Sequence, residues 1–221
     1  MARFGFKDMK EKYQKLYDYY KTATELAKPF WFDKMPAVLV DEYDDISGIE
    51  MCYLLEFFSK GVRLVSEDEY LDSADYIYER VVHEAYDSTF GGYYEKLTGE
   101  GKLVSDKKLL ETQLMAMVAL GEYACAKKIT KDEEYHYTAV LNRALAIYTM
   151  LEHYSLSKND NSYLTEMNAD WSPASDVKTL DTKIIADSYH LLYANIAFID
   201  SKATGTLNLI SDTISRINGS V

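Results

Sequence analysis

Apolar positions recur every three or four residues along most of this chain, the spacing of one buried face on an α-helix. Residues 7–27 carry Tyr13, Leu16, Tyr17 and Tyr20 on such a face, and Pro29 stops that helix. From about Asp45 to Ser59 the pattern thickens. Ile49, Cys52, Tyr53, Leu54, Leu55, Phe57 and Phe58 leave little polar surface, so this helix reads as an interior one, ended by Gly61. Ser66, with Asp68 and Glu69 in the first turn, opens a third helix to about Ala85, with Tyr70, Ala74, Ile77, Tyr78 and Val81 on its buried side. A helix from Asp132 to about His153 repeats that design with Val140, Ala144, Ile147, Tyr148 and Leu151. A last one, about Thr204 to Asn218, carries Leu207, Ile210, Ile214 and Ile217.

The remaining two helices are copies of one another. Ser105 to Tyr123 reads SDKKLLETQLMAMVALGEY, and Ser175 to Tyr193 reads SDVKTLDTKIIADSYHLLY. At an offset of 70, Ser105, Asp106, Lys108, Leu110, Thr112, Ala116, Tyr123 and Ala124 recur as Ser175, Asp176, Lys178, Leu180, Thr182, Ala186, Tyr193 and Ala194, and Glu111 meets Asp181. An internal repeat decides the fold before any single element does. Each unit runs as an amphipathic outer helix, a long excursion, then a more apolar inner helix. The excursion YDSTFGGYYEKLTGEGKLVSD, with Gly91, Gly92, Gly99 and Gly101, predicts a short β-hairpin; SLSKNDNSYLTEMNADWSPASD is its counterpart. The expected fold is all-α: a partial (α/α) toroid of about seven helices, in one domain with units 7–59, 66–125 and 132–199 and a final helix at 204–218. The Ser-Asp pairs at 105–106 and 175–176 read as helix N-caps.

Composition narrows the partners. A formal charge of −12 argues against nucleic acid and anionic membranes, whose phosphates would be repelled. No apolar run is long enough to span a bilayer and the N-terminus turns charged too soon for a signal peptide, so a cytoplasmic location is expected. Cys52 and Cys125 fall in apolar helical patterns and read as buried small hydrophobes. The acidic run Asp41 to Asp45 lacks the spacing and glycine of a calcium loop and reads as solvated. No metal or cofactor site is expected. Twenty tyrosines against eight phenylalanines suit half-exposed helix faces and sugar clefts alike.

Two stretches carry a resemblance. FGGYYEKLTGEGKLVSDKKLLETQLMAMVALGEYA resembles the Gly-Gly, aromatic, Glu, hairpin and inner-helix run of the N-acylglucosamine 2-epimerase-like proteins. MNADWSPASDVKTLDTK resembles the Asp-Trp-x-Pro hairpin end that precedes a later inner helix in that family. The resemblance covers about residues 65–200. It implies a closed ring of about twelve helices with a sugar site where inner-helix ends and loops converge; seven helices would make about half of it. The family's catalytic histidines on inner helices find no match here, where Gln113 and Ile185 stand in the corresponding regions. Proton transfer at a sugar carbon needs a base with a pKa near neutrality.

Candidate chemistry follows from this plan. Glu111 and Asp181, in or near the first turns of the two repeated helices, could converge on a ligand as acid and base; they would equally offset the positive helix ends. Lys108 and Lys178 could meet a hydroxylated ligand or simply pair with acids. Glu95 and Glu166 are candidates for sugar hydroxyls, and Trp31, Tyr93, Tyr94 and Trp171 for stacking on a sugar ring, or for plugging the loops onto the helices. Two functions stay open: a carbohydrate-binding or carbohydrate-active protein (isomerase, epimerase or glycosidase-like if active), and a non-catalytic helical module that binds proteins, another copy of itself included.

Overall fold

The computed structural model describes residues 45–65, 68–98, 102–131, 133–157, 159–179 and 182–219. The expected helix at 7–27 and Trp31 lie outside the described residues, as do Leu180 and Asp181. Six α-helices form among the described residues: α1 (Gly48–Val65), α2 (Asp68–Arg80), α3 (Leu110–Ile129), α4 (Glu134–Met150), α5 (Thr182–Ile199) and α6 (Thr204–Asn218). One turn of π-helix extends α2 at Val81–Ala85 and α4 at Leu151–Ser155.

The helices form two layers because their apolar faces differ in width. Helix α3 is buried on all sides from Thr112 to Ala126 and packs against α1, α4 and α5 at once. Helices α1 and α5 flank it in the inner layer, and α2, α4 and α6 each pack one face onto the inner helix before them. This is the all-α, partial (α/α) toroid that the repeat predicts.

The 70-residue period holds in detail through the excursions. Both π turns are followed by the same bridge, Tyr86 to Tyr93 and Leu156 to Tyr163. The turn within it is closed by Asp87 N–H to Gly92 O (2.9 Å) in one unit and Ser157 N–H to Ser162 O (2.8 Å) in the other. Gly91 (φ 73°) and Asn161 (φ 55°) take the same left-handed conformation, which asparagine tolerates better than other side chains. Tyr93 and Tyr163 drive the two turns into the core, both fully buried.

Seven short strands form among the described residues: β1 (Asp45–Ser47), β2 (Lys96–Thr98), β3 (Leu103–Ser105), β4 (Lys108–Leu109), β5 (Tyr163–Leu164), β6 (Glu166–Met167) and β7 (Lys178–Thr179); the pairs β1–β2 and β4–β6 tie unit to unit. The strand leading into α1 pairs antiparallel with the next excursion, Ile46 to Leu97 and Ser47 to Lys96. The strand leading into α3 does the same with the excursion after it, Lys108 to Met167 and Leu109 to Glu166. Because Leu97 and Met167, like Lys96 and Glu166, stand 70 apart, the register is copied from one junction to the next. Sheet β1-β2-β3 is completed by the hairpin the glycines predict.

Three expectations are corrected. The repeated segment does not become helical at Ser105 and Ser175: α3 begins at Leu110 and α5 at Thr182, and Lys108–Leu109 and Lys178–Thr179 before them are strands. Strand pairing, with the following excursion before α3 and with its own excursion before α5, outweighs the local preference of Ser-Asp for a cap. Neither pair is therefore an N-cap, and the residue capping α3 is Leu109, with no side-chain cap bond. Gly61 does not end α1, which continues through it to Val65 and brings Arg63 to within 2.6 Å of Glu122 on α3.

The two buried tyrosines differ in one respect that can be measured. Tyr163 donates to Glu152 (2.5 Å) and accepts from Arg216 (3.0 Å), and Tyr189 donates to the same carboxylate (2.9 Å). The Tyr93 hydroxyl is buried without a hydrogen-bond partner; position 82, equivalent to Glu152, is a valine. In chemical denaturation Tyr163→Phe should cost about 1–3 kcal/mol, whereas Tyr93→Phe should be neutral or stabilising. Equal losses would contradict this accounting.

Candidate functional site

Excursion residues and inner-helix starts meet at the end of the layers where α3 begins. The arrangement centres on Lys108, whose side chain is fully buried. Its Nζ lies 2.6 Å from Asp87 Oδ2 and 2.5 Å from Gly91 O, and 5.4–5.6 Å from the ring centroids of Trp171 and Tyr94. Asp87 Oδ1 accepts the Thr89 and Phe90 N–H groups (2.8 and 3.1 Å), so the carboxylate also closes its own turn. Burial pulls the Asp87 carboxyl upward, but Lys108 and the two backbone donors outweigh it and hold it below the ordinary value. Burial lowers the Lys108 ammonium, and the Asp87 charge opposes that.

Trp171 closes the box from the following excursion, buried, with φ 66° and its indole N–H donated to Phe90 O (3.0 Å). It fits because position 92 is glycine: a Cβ there would lie 2.6 Å from Trp171 and 2.9 Å from Gln113. Gln113 in turn holds the Tyr93 backbone from both sides, accepting its N–H (2.9 Å) and donating to its carbonyl (2.7 Å). In the next unit Asn161-Ser162 replaces Gly91-Gly92, and Lys178 sits half-open, bonded to Ser157 (3.0 Å) and Asp160 (3.2 Å). The two lysines thus keep the same turn as partner with opposite burial.

Beside this box a more open polar group surrounds the start of α3. Glu111 is exposed in the first turn, and Tyr53 on the neighbouring inner helix donates to it (3.4 Å). Burial, then the Glu111 charge, pushes the Tyr53 phenol well above its usual value, so it stays a donor. Lys107 bridges Glu166 (3.1 Å) and Asn168 (3.2 Å), and Glu95 accepts from Ser105 (2.6 Å). No group of three or more metal-capable side chains occurs among the described residues.

The sequence-predicted site residues therefore divide. Glu111, Glu95 and Glu166 lie on accessible surface around the α3 start, and Tyr94 is half-buried against Lys108. Tyr93, Lys108 and Trp171 are buried: the excursion folds back on itself and its aromatic and cationic groups pack into that fold. Lys178 is exposed on its own turn, and Asp181 and Trp31 lie outside the described residues. Asp87, Gln113, Tyr53 and Lys107 were not legible as partners. One usable signal existed, since Lys108 and Lys178 each stand 21 residues after the turn position they bond. Of the histidines, His136 and His153 lie on α4 and its π turn, and His190 bonds its own helix at Ala186 O (2.8 Å).

The class this defines is an (α/α) toroid, represented over part of its ring. No protein-family model matches the chain. Cellobiose 2-epimerase of Dictyoglomus turgidum (strain DSM 6724 / Z-1310) is 27% identical over 134 residues, which is 61% of this chain and 32% of that protein. Among solved structures, cellobiose 2-epimerase from Bacillus thermoamylovorans B4167 superposes with a TM-score of 0.60 at 21% identity, over 78% of this chain and 45% of that one. A D-mannose isomerase gives 0.61 at 14% identity, over 88% and 50%. The chain thus spans half or less of the length of the proteins it matches. The resemblance to N-acylglucosamine 2-epimerase-like toroids is confirmed, in partial form.

Two predictions test the electrostatics. Replacing Lys108 by Met should cost about 3–5 kcal/mol because it strands a buried carboxylate, while Lys178→Met should cost under about 1 kcal/mol; denaturant titration that ranks them equally would contradict the burial difference. The second concerns Glu56, buried between α1 and α3 with Lys60 at 2.6 Å. Burial raises its pKa from 4.5 to about 7; Lys60 opposes the rise and Glu122 adds to it. Since the folded state holds this proton more tightly than the unfolded chain, stability should fall as pH rises from about 4.5 to about 7. Glu56→Gln should flatten that slope, a difference of about 3 kcal/mol at most across the window.

Proposed function

We propose that this chain is a saccharide-binding protein of the epimerase-like toroid kind, with its site at the inner-helix starts. The observation that carries the reading is Glu111: an accessible carboxylate at the N-terminal end of the central inner helix, contacted by a tyrosine hydroxyl from the inner helix beside it. Around it the Lys107–Glu166 pair, Asn168 and the Glu95–Ser105 pair supply donors and acceptors at hydrogen-bonding distance from one another, the kind of surface that matches sugar hydroxyls. The relatives are named for reactions on cellobiose and mannose, which makes these the first ligands to try. If the chain turns sugars over, Glu111 and Asp181 are the candidate acid and base.

Titration calorimetry with cellobiose, mannose and N-acetylglucosamine should show binding at millimolar concentration. Glu111→Gln and Asp181→Asn should weaken it by about tenfold each, the worth of one charged hydrogen bond. Absence of heat from all three sugars would sink the proposal. A second reading, a helical module that associates with itself, is favoured by the exposure of Tyr193 and Ala194 on α5, whose counterparts Tyr123 and Ala124 are buried. A monomer at every concentration in sedimentation would remove that reading.

A further inference from the structure

A second surface, on the outer layer and separate from the α3 start, has the features of a ligand groove. Its floor is one stripe of α4, on which Arg143 and Met150 stand at helical spacing, and Tyr154 lies beyond Met150 on the π turn. Tyr86 and Asn142 complete a cavity of about 350 Å³ whose other walls are the alanines and Ile147 of the same helix. Met150, at the edge of that cavity, lies close to the turn at Gly91, where an added Cβ would meet its sulfur at 3.1 Å, and Phe90 is the adjacent residue of that turn. There Phe90 is 50% exposed and Tyr154 46% exposed.

Two details separate this from an ordinary patch of exposed apolar side chains. First, Tyr154 is a fixed platform. One face stacks on Trp171 (centroids 5.8 Å apart, planes at 26°), and Trp171 is itself pinned by its bond to Phe90 O and by Lys108 beneath it. The stack leaves the Tyr154 ring partly open to solvent, so the platform loses little freedom when a flat ligand lands on it. Second, the Arg143 guanidinium pairs with no carboxylate among the described residues. It lies over the Tyr86 ring at 5.1 Å, in a chain where acids outnumber bases by twelve. A cation left without an acid in such a chain favours an anionic ligand group, bound through the planar fork of donors that suits a carboxylate.

We propose that this groove binds an acidic oligosaccharide, with the carboxylate of one sugar on Arg143 and Asn142 and the apolar face of a following ring on Tyr154, beside Phe90. The saccharide class rests on the function proposed above, but the residues are different, so the two fail separately.

The test is titration of the intact 221-residue chain with tri-galacturonate and with cellotriose, followed by the indole N–H resonance of Trp171, assigned by comparison with a Trp31→Phe variant. Tri-galacturonate should shift that resonance with a dissociation constant on the order of millimolar. Tyr154→Ala and Arg143→Met should each weaken it by about tenfold, and Tyr154→Trp should retain it. Glu111→Gln should leave it unchanged. Equal binding of cellotriose, or an unaltered response in Arg143→Met, would overturn the acidic ligand; a resonance that neither sugar moves would overturn the groove. Thermal melts of both variants should stay close to the parent, since both side chains are partly exposed.

Discussion

The junction between successive units depends on one buried cation. An ammonium out of water costs several kcal/mol unless its partners are close and complete. Lys108 meets that condition with a carboxylate, a carbonyl and two aromatic rings drawn from two different excursions. Those partners come together only if the chain turns back at Gly91-Gly92 closely enough for Trp171 to cover it, which is why the pair is glycine and why Trp171 keeps a left-handed backbone. Around this contact the strand leading into α3 takes its register, and the end of the helix layer acquires its shape.

Periodicity was sufficient for the rods and insufficient for their ends. The 70-residue identities name the inner helices correctly because burial on all sides requires apolar residues throughout, and α3 has them from Leu114 to Ala126 with few exceptions. Three of the five residues before Leu110 also repeat, and local chemistry makes Ser-Asp a cap. What decides their conformation is a strand 59 residues away, Met167 against Lys108 being a non-local pairing that no window of sequence contains. Gly61 shows the same lesson in reverse: a residue that ends isolated helices is held inside α1 because the helix is packed past it, to the Arg63–Glu122 pair.

The candidate site divides along the same line. Carboxylates at helix starts, Glu111 foremost, are visible in a sequence because position alone puts them near the surface. Aromatic residues in loops are ambiguous, since a ring that could stack on a sugar is also the best plug for a loop over a helix end. Tyr93 and Trp171 are plugs. The surface aromatics Tyr154 and Phe90 carry no sequence signal, because the first ends an outer helix and the second sits in a turn, places where an exposed ring follows no pattern. Their importance comes from what lies beneath them.

The central claim is that the excursion of the second unit, residues 86–106, is held by that of the third, residues 155–176. Native-state hydrogen exchange on Trp171→Ala tests it most directly. The Asp87 and Tyr93 amides, bonded to Gly92 O and Gln113, should lose protection although the change lies some eighty residues away in sequence. The equivalent Ser157 amide, bonded to Ser162 O within the third unit's excursion itself, should keep most of its own. Loss confined to the third unit's excursion, with Asp87 and Tyr93 unaffected, would contradict the account.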